Sequence, residues 1–299
     1  MELRTLRALV EVVRQGGFSQ AARTLFTTQS NISKAVKMLE EELGCQLLDR
    51  IGHRSTLTEA GVIVHERAQI MLATADNLVE ELDALRGMRR GTLRIGLPPV
   101  GSDIMFAPLL ARYRDKYPQI DIRLVERGGR TLRDMVLTGE LDLAAAMLPV
   151  DEAQFEWKPV RTEPVDALVN IAHPLAKQKQ VSLRELADTP FVLFESSFAL
   201  NQVVLDACQR QGFTPRVAVN SSQIDFIVEL IAVGMGVAFM PRLIARQRSH
   251  PRVRRIALDT NVQTVQGTMA EALEWNIAMI WRRGGQLPKT AQAWLDLVR

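Results

Sequence analysis

The chain has 299 residues, 47% of them hydrophobic, with a formal net charge of +3, enough to bury more than one core and too mildly basic to name a partner by itself. Its two cysteines, Cys45 and Cys208, stand far apart with no metal-ligand spacing, which argues against a disulfide scaffold or a zinc site and suits a reducing compartment. No apolar run of about 18 residues occurs and no basic segment leads into one at the start, so neither a membrane span nor an export signal is expected and the chain is placed in the cytoplasm.

A first helix is marked by Leu3, Leu6, Val10 and Val13 and is stopped by Gly16 and Gly17. A short second helix buries Phe18, Ala21, Ala22 and Leu25, and Phe26, Thr27 and Thr28 turn the chain into a third. There Ile32, Val36, Leu39 and Leu43 form one apolar stripe, while Gln29, Ser30, Ser33, Lys34 and Lys37 project from the opposite side. Amide, hydroxyl and amine groups are what a DNA major groove accepts: Gln pairs with adenine, Ser with any base, Lys with guanine or phosphate. Thr28, at the head of this helix, is grouped with them. Glu40, Glu41 and Glu42 close the helix and would repel phosphate, so only its amino-terminal half is expected to face DNA. From Leu47 to Leu57 two short strands flank Gly52 and His53, and Arg50 and Arg54 on this wing would stand beside phosphates.

From Thr58, a plausible N-cap, one long helix follows. Val64, Ala68, Met71, Ala75, Leu78, Leu82 and Leu85 alternate steps of four and three, a seam expected to meet a second copy of the chain. Two reading helices in a homodimer would gain affinity through effective concentration.

Beyond Gly91 strands and helices alternate, which reads as α/β. Strands at 92–97, 120–126 and 141–147 enclose helices at 104–114 and 132–137. A second set has strands at 167–172, 191–194, 217–220 and 237–240 with helices at 200–211 and 226–233, and the chain ends with a strand at 277–281 and a helix at 289–298. Ligands of open parallel sheets sit beyond the carboxyl ends of the strands and between domains. That rule selects Pro99, Val100, Gly101 and Ser102, then Gly128 and Gly129, then Met147, and across the cleft Glu195, Ser196, Phe198 and Ser222. Ser102 or Asp103 is expected to cap the helix after the first loop and leave amides free for an anion. The partly apolar lining favours an organic acid over a bare inorganic anion. Arg242, Arg246, Arg248, Arg252, Arg254 and Arg255 are expected on a solvated surface or subunit contact, because no aromatic residue interleaves with them.

The stretch "GGFSQAARTLFTTQSNISKAVKMLEEELGCQLLDRIGHRSTLTEAG" resembles the amino-terminal domain of LysR-type transcriptional regulators. The likeness continues through "GTLRIG", "LLARYRDKYPQIDIRLVE", "GELDLAAAM" and "VGMGVAFMP". The resemblance implies a winged helix-turn-helix domain over 1–57 and a dimerisation linker helix over 58–90. It implies an α/β effector-binding domain over 91–299, built of two Rossmann-like lobes similar to a periplasmic binding protein. Lobe 1 would comprise about 91–162 and 268–299, and lobe 2 about 163–267, with crossings near Thr162 and Thr268. By position, Gln29, Ser30, Ser33 and Lys34 match residues that face bases, Arg50 and Arg54 match wing contacts, and Ser102 matches a ligand-binding hydroxyl. Members often carry Pro where this chain has Ser30 and Arg where it has Lys34.

The implied function is promoter binding by a homodimer or tetramer, controlled by a small-molecule effector, with double-stranded DNA and RNA polymerase as partners, no membrane and no cofactor. A winged-helix regulator with a different sensor is the alternative, though the βαβ order speaks against a small-barrel sensor. A solute-binding or enzymatic two-lobed protein would need an export signal or a catalytic motif. The histidines His53, His65, His173 and His250 are scattered, and no nucleophile elbow or Gly-rich phosphate loop occurs.

Overall fold

The computed structural model describes residues 1–51, 54–85, 91–259, 261–264, 267–270 and 273–298. The wing tip at Gly52 and His53 lies outside the described residues, as do the side chains of Arg50, Arg54 and Leu85.

Three helices open the chain: α1 (Leu3–Gln15), α2 (Phe18–Thr24) and α3 (Gln29–Leu43). α1 stops at Gly16, whose left-handed backbone lets its N–H bond the Val13 carbonyl. α3 starts at Thr28, whose hydroxyl accepts from the Asn31 N–H at 3.3 Å. The antiparallel pair β1 (Leu48–Ile51) and β2 (Arg54–Leu57) forms the wing, with Leu48 opposite Leu57. α4 (Glu59–Leu85) follows, and the Thr58 hydroxyl accepts from the Gly61 N–H at 2.9 Å. Its 27 residues span about 40 Å.

Leu6, Leu9, Val12, Ala21, Ile32, Val36, Leu39 and Leu47 bury one core, completed by Ala68 and Leu72 of α4. This corrects the expected seam. Ala68 is 1% exposed and Val64 packs on the same core, so both serve the chain's own domain. At 100° per residue Met71, Leu78 and Leu82 fall within about 40° of Val64, so the same side of α4 that packs on the core through Val64, Ala68 and Leu72 continues further along the helix as an exposed apolar stripe. Leu43, read as part of the α3 stripe, is also exposed; Leu47 fills the core where the helix has ended.

The remaining elements are β3 (Gly91–Leu97), α5 (Ser102–Met105), α6 (Ala107–Lys116), β4 (Ile120–Glu126), α7 (Gly129–Thr138), β5 (Leu143–Met147), β6 (Phe155–Asn170), β7 (Gln180–Val181), β8 (Phe191–Phe194), α8 (Ala199–Arg210), β9 (Val217–Ser221), α9 (Ile224–Ala232), β10 (Ala238–Pro241), α10 (Arg242–Gln247), β11 (Val253–Leu258), β12 (Asn261–Thr264), β13 (Gly267–Ala270), β14 (Glu274–Arg282) and α11 (Lys289–Leu295). β3 pairs in parallel with β4 and β5, and β14 lies antiparallel between β5 and β6. In the other lobe β6 pairs antiparallel with β10 and β11, and β8 runs parallel to β9.

β6 departs most from the expectation of a strand at 167–172. Its 16 residues run through both lobes, pairing with β14 as far as Pro164 and with β10 from Val165. The charged residues Lys158, Arg161 and Glu163 and the prolines Pro159 and Pro164 mask the strand signal. The register shift between Ile277 and Ala278 leaves Val160 as the extra residue beside Pro159, a position where a strand tolerates proline. The passage from one lobe to the other therefore occurs inside a hydrogen-bonded strand. The return is marked at its start by the Val165 N–H bonding the Leu273 carbonyl at 2.9 Å.

α4 is bonded both to α1 and to the turn after α7. Asp76 pairs with Arg7 of α1 at 3.1 Å, Gln69 donates to Glu140 after α7 at 3.0 Å, and Ala73 lies against Gly139. No helix among the described residues is long and apolar enough to cross a membrane.

Candidate nucleic-acid interface and inter-lobe cleft

The polar side of α3 is open to solvent. Thr28, Gln29, Ser30, Lys34 and Lys37 are exposed, while Ser33 is half-buried. The head of the helix is ordered by its own side chains: the Thr28 and Ser30 hydroxyls are 2.9 Å apart, and Asn31 Nδ2 donates to Thr27 Oγ1 at 3.1 Å. Lys37 Nζ stands 3.5 Å from Glu41, an exposed pair too weak to withhold the cation from a phosphate. The other two acids at the end of α3 do more than oppose the helix dipole. Glu40 Oε1 accepts from the Leu47 and Leu48 N–H groups at 2.9 and 3.3 Å, fixing the start of the wing, and Glu42 pairs with the terminal amine of Met1. Sequence spacing gave no sign of either partner.

Among the described residues, three contacts at the cleft involve the loops selected from sequence. Gly101, at φ +82°, is buried so closely that a Cβ there would lie 2.8 Å from Trp275 Cη2 and 3.2 Å from Ile244 Cδ1. A Cβ on Gly128 would lie 3.0 Å from Ser197 Cβ, a contact between loops that the sequence placed on opposite walls. The third contact is ionic: Asp103 Oδ2 is 2.7 Å from Arg248 Nη2, and Arg248 Nε is 2.9 Å from Asp225 Oδ1.

Of the residues selected from sequence, Val100, Met147 and Phe198 are buried, and Phe198 stacks on Phe194 at 5.2 Å, inside its own lobe. Pro99, Ser102, Gly128 and Gly129 are half-buried; Glu195, Ser196 and Ser222 are exposed. The capping expected of Ser102 or Asp103 does not occur. Gly101 is the N-cap of α5, the Ser102 hydroxyl donates to the Pro98 carbonyl, and Asp103 is engaged by Arg248. Asn276, which sequence reading passed over, lies in β14 opposite Thr162 beside the exit of β5. Its Oδ1 is buried with no hydrogen-bond partner among the described residues, the kind of orphan acceptor that a bound donor satisfies.

The arginine cluster is only partly a solvated surface. Arg242 donates to Asp166 through Nε and Nη2, at 3.1 and 2.9 Å, and Arg255 Nη1 donates to the same carboxylate at 2.5 Å. Asp166 is fully buried in β6, two residues beyond Pro164. This grip raises the Arg242 pKa further, chiefly through the hydrogen bond. The available sequence signal was a lone acid within the apolar run of β6, where an unpaired carboxylate would not be tolerated.

Burial pushes the Cys208 thiol up to about 12, so it carries no thiolate at neutral pH, and Cys45 is exposed. Burial against the α4 surroundings lowers the His65 pKa, with Glu140 and Glu66 opposing the shift.

Comparison with known proteins places similar chains on this geometry. Residues 3–62 match the model described as bacterial regulatory helix-turn-helix protein, lysR family, and residues 86–299 match the LysR substrate binding domain. An uncharacterized HTH-type transcriptional regulator of Bacillus subtilis, YwbI, is 34% identical over 296 residues, covering 99% of this chain and 95% of its own. The transcriptional dual regulator GltC of the same organism is 34% identical over 242 residues, 81% of each chain. Among solved structures, a full-length OxyR variant from Pseudomonas aeruginosa is 26% identical, with a TM-score of 0.79 over 100% of this chain and 95% of its own. Full-length CbnR in complex with its target DNA shares the fold at 22% identity, with a TM-score of 0.65 over 100% of this chain and 99% of its own.

Proposed function

Because the chain belongs to the LysR family of DNA-binding transcriptional regulators with an effector-binding domain, we propose that α3 reads a promoter through Gln29, Ser30, Ser33 and Lys34. Thr28, Lys37 and the wing arginines Arg50 and Arg54 hold the phosphates on either side. The observation that carries this reading is the divided surface of α3: Ile32, Val36 and Leu39 are buried, and its amino-terminal half exposes Gln29, Ser30, Asn31, Lys34 and Lys37, all groups that bond base edges or phosphates.

An organic acid entering between the lobes is the proposed effector. Arg248, the Ser197 hydroxyl and the backbone amides at Gly128 and Gly129 offer donors for its carboxylate, beside the buried surfaces of Val100 and Met147. Entry separates Gly128 from Ser197 and competes with Asp103 for Arg248, so ligand binding and lobe geometry are linked. α4 transmits the change, since it is bonded to lobe 1 at Glu140 and to the reading domain at Arg7. The exposed stripe of Met71, Leu78 and Leu82 joins two copies, and two dimers or one then present paired reading heads to DNA and RNA polymerase. The protein acts by shifting between these geometries, not by catalysis.

Footprinting with full-length protein on duplexes recovered by in vitro selection tests the assigned face. Ser33→Ala with Lys34→Ala should weaken binding by on the order of a hundredfold, the loss of two contacts of about 1–3 kcal/mol each. The circular dichroism spectrum should not change. An undiminished footprint would reject the face.

A further inference from the structure

Phe26 is 98% exposed, far more than any other large hydrophobic residue among those described. It is also the sole described non-glycine residue with a positive φ, at +51°. The site is the residue that follows Leu25, the C-cap of α2, where a left-handed conformation is usual and glycine or asparagine fits it without strain. Here the backbone is held in that conformation by the Phe26 N–H on the Arg23 carbonyl at 3.2 Å and the Thr27 N–H on the Ala22 carbonyl at 2.9 Å. The neighbouring apolar residues Phe18 and Leu25 pack onto the domain core, whereas the Phe26 ring stands in water. An aromatic ring that is both strained in backbone and wholly solvated contributes nothing to folding, which points to a role outside the fold.

The turn is tied to the reading helix. Thr27 accepts from Asn31, and Thr28 caps α3 beside Ser30, so the ring is carried at a fixed position two residues ahead of the helix cap. We propose that Phe26 is a DNA-contacting residue whose ring packs on an apolar group of the duplex at the rim of the major groove, a thymine 5-methyl or a deoxyribose. This rests on the assignment of α3 as the reading helix. The contact would be a source of affinity that involves no charge.

Phe26→Asn and Phe26→Gly in the full-length protein both relieve the backbone strain, so their melting temperature should equal or exceed that of the parent. Their affinity for a selected duplex should fall about tenfold, equivalent to about 1.4 kcal/mol. The slope of log affinity against log salt should not change, because no phosphate charge is lost. Lys37→Ala, by contrast, should lower that slope, because its amine is assigned to a phosphate. Uracil placed for thymine one position at a time then separates the two sources. A position that weakens the parent and leaves Phe26→Asn unaffected identifies the methyl group, and no such position identifies the sugar. Variants that bind within twofold of the parent would overturn the proposal, as would an affinity loss accompanied by a lower melting temperature. A parent protein that retains no duplex would overturn the DNA-reading assignment beneath it.

Discussion

Asp166→Ala removes the carboxylate that ties α10 and β11 to the strand shared by both lobes. The side chain is 0% exposed and accepts from Arg242 Nε and Nη2 and from Arg255 Nη1. Loss of one partner of a buried ionic cluster costs about 3–5 kcal/mol, because the remaining charges keep their desolvation penalty. Here the two arginine side chains are 33% and 34% exposed and can recover some water, so about 3 kcal/mol is expected. For a domain of this size each kcal/mol lowers the melting temperature by about 2–4 °C, giving a fall of about 6–12 °C. Scanning calorimetry of the full-length variant should show that loss in the lobes, and operator binding below the transition should survive because the α1–α3 core is separate. Asp166→Asn should be no better, since its amide nitrogen would face guanidinium donors. A fall of under about 2 °C for Asp166→Ala would refute the argument that this cluster is a buried, mutually dependent unit.

Thiol titration of the native protein should count one reactive cysteine per chain, Cys45, with Cys208 reacting only after unfolding; two fast thiols would contradict its raised pKa. His65 has a folded pKa below its usual 6.5, so the unfolded chain takes up a proton that the native one resists. Its stabilising contribution is complete above pH 6.5 and is lost as pH falls from 6.5 through the lowered pKa. His65→Gln should therefore flatten the fall in melting temperature between about pH 7.5 and 5.5, and an unchanged profile would exclude this histidine. Leu78→Glu with Leu82→Glu should weaken dimerisation by on the order of a hundredfold, the scale of losing contacts worth about 2–4 kcal/mol. Analytical ultracentrifugation would reveal an unaffected dimer if the stripe is not the seam.

Much of the fold was legible locally. The strands at 120–126 and 191–194 fall where apolar patterning put them, and the reading helix was recognisable from Ile32, Val36 and Leu39 against Gln29, Ser30 and Lys34. β6 was not, because proline and charge patterns report on local conformational cost and say nothing of a bulge that accommodates them. The candidate cleft was legible as a set of loops but not as a set of contacts. Gly101 against Trp275, Gly128 against Ser197 and the engagement of Asp103 by Arg248 all join residues that no periodicity relates.

By itself the sequence determined where most helices and strands lie and which of their residues are apolar, since both follow from repeats of two or of three to four residues. Tertiary structure alone decided what each apolar or charged side meets. Ala68 was drawn into the chain's own core while Leu78 was left exposed, and Asp166 was gripped by arginines 76 and 89 residues away. Asp103 reached Arg248 across 145 residues. Such pairings depend on packing two lobes and a helix in three dimensions, and a charge has no sequence neighbour that records which distant partner will neutralise it.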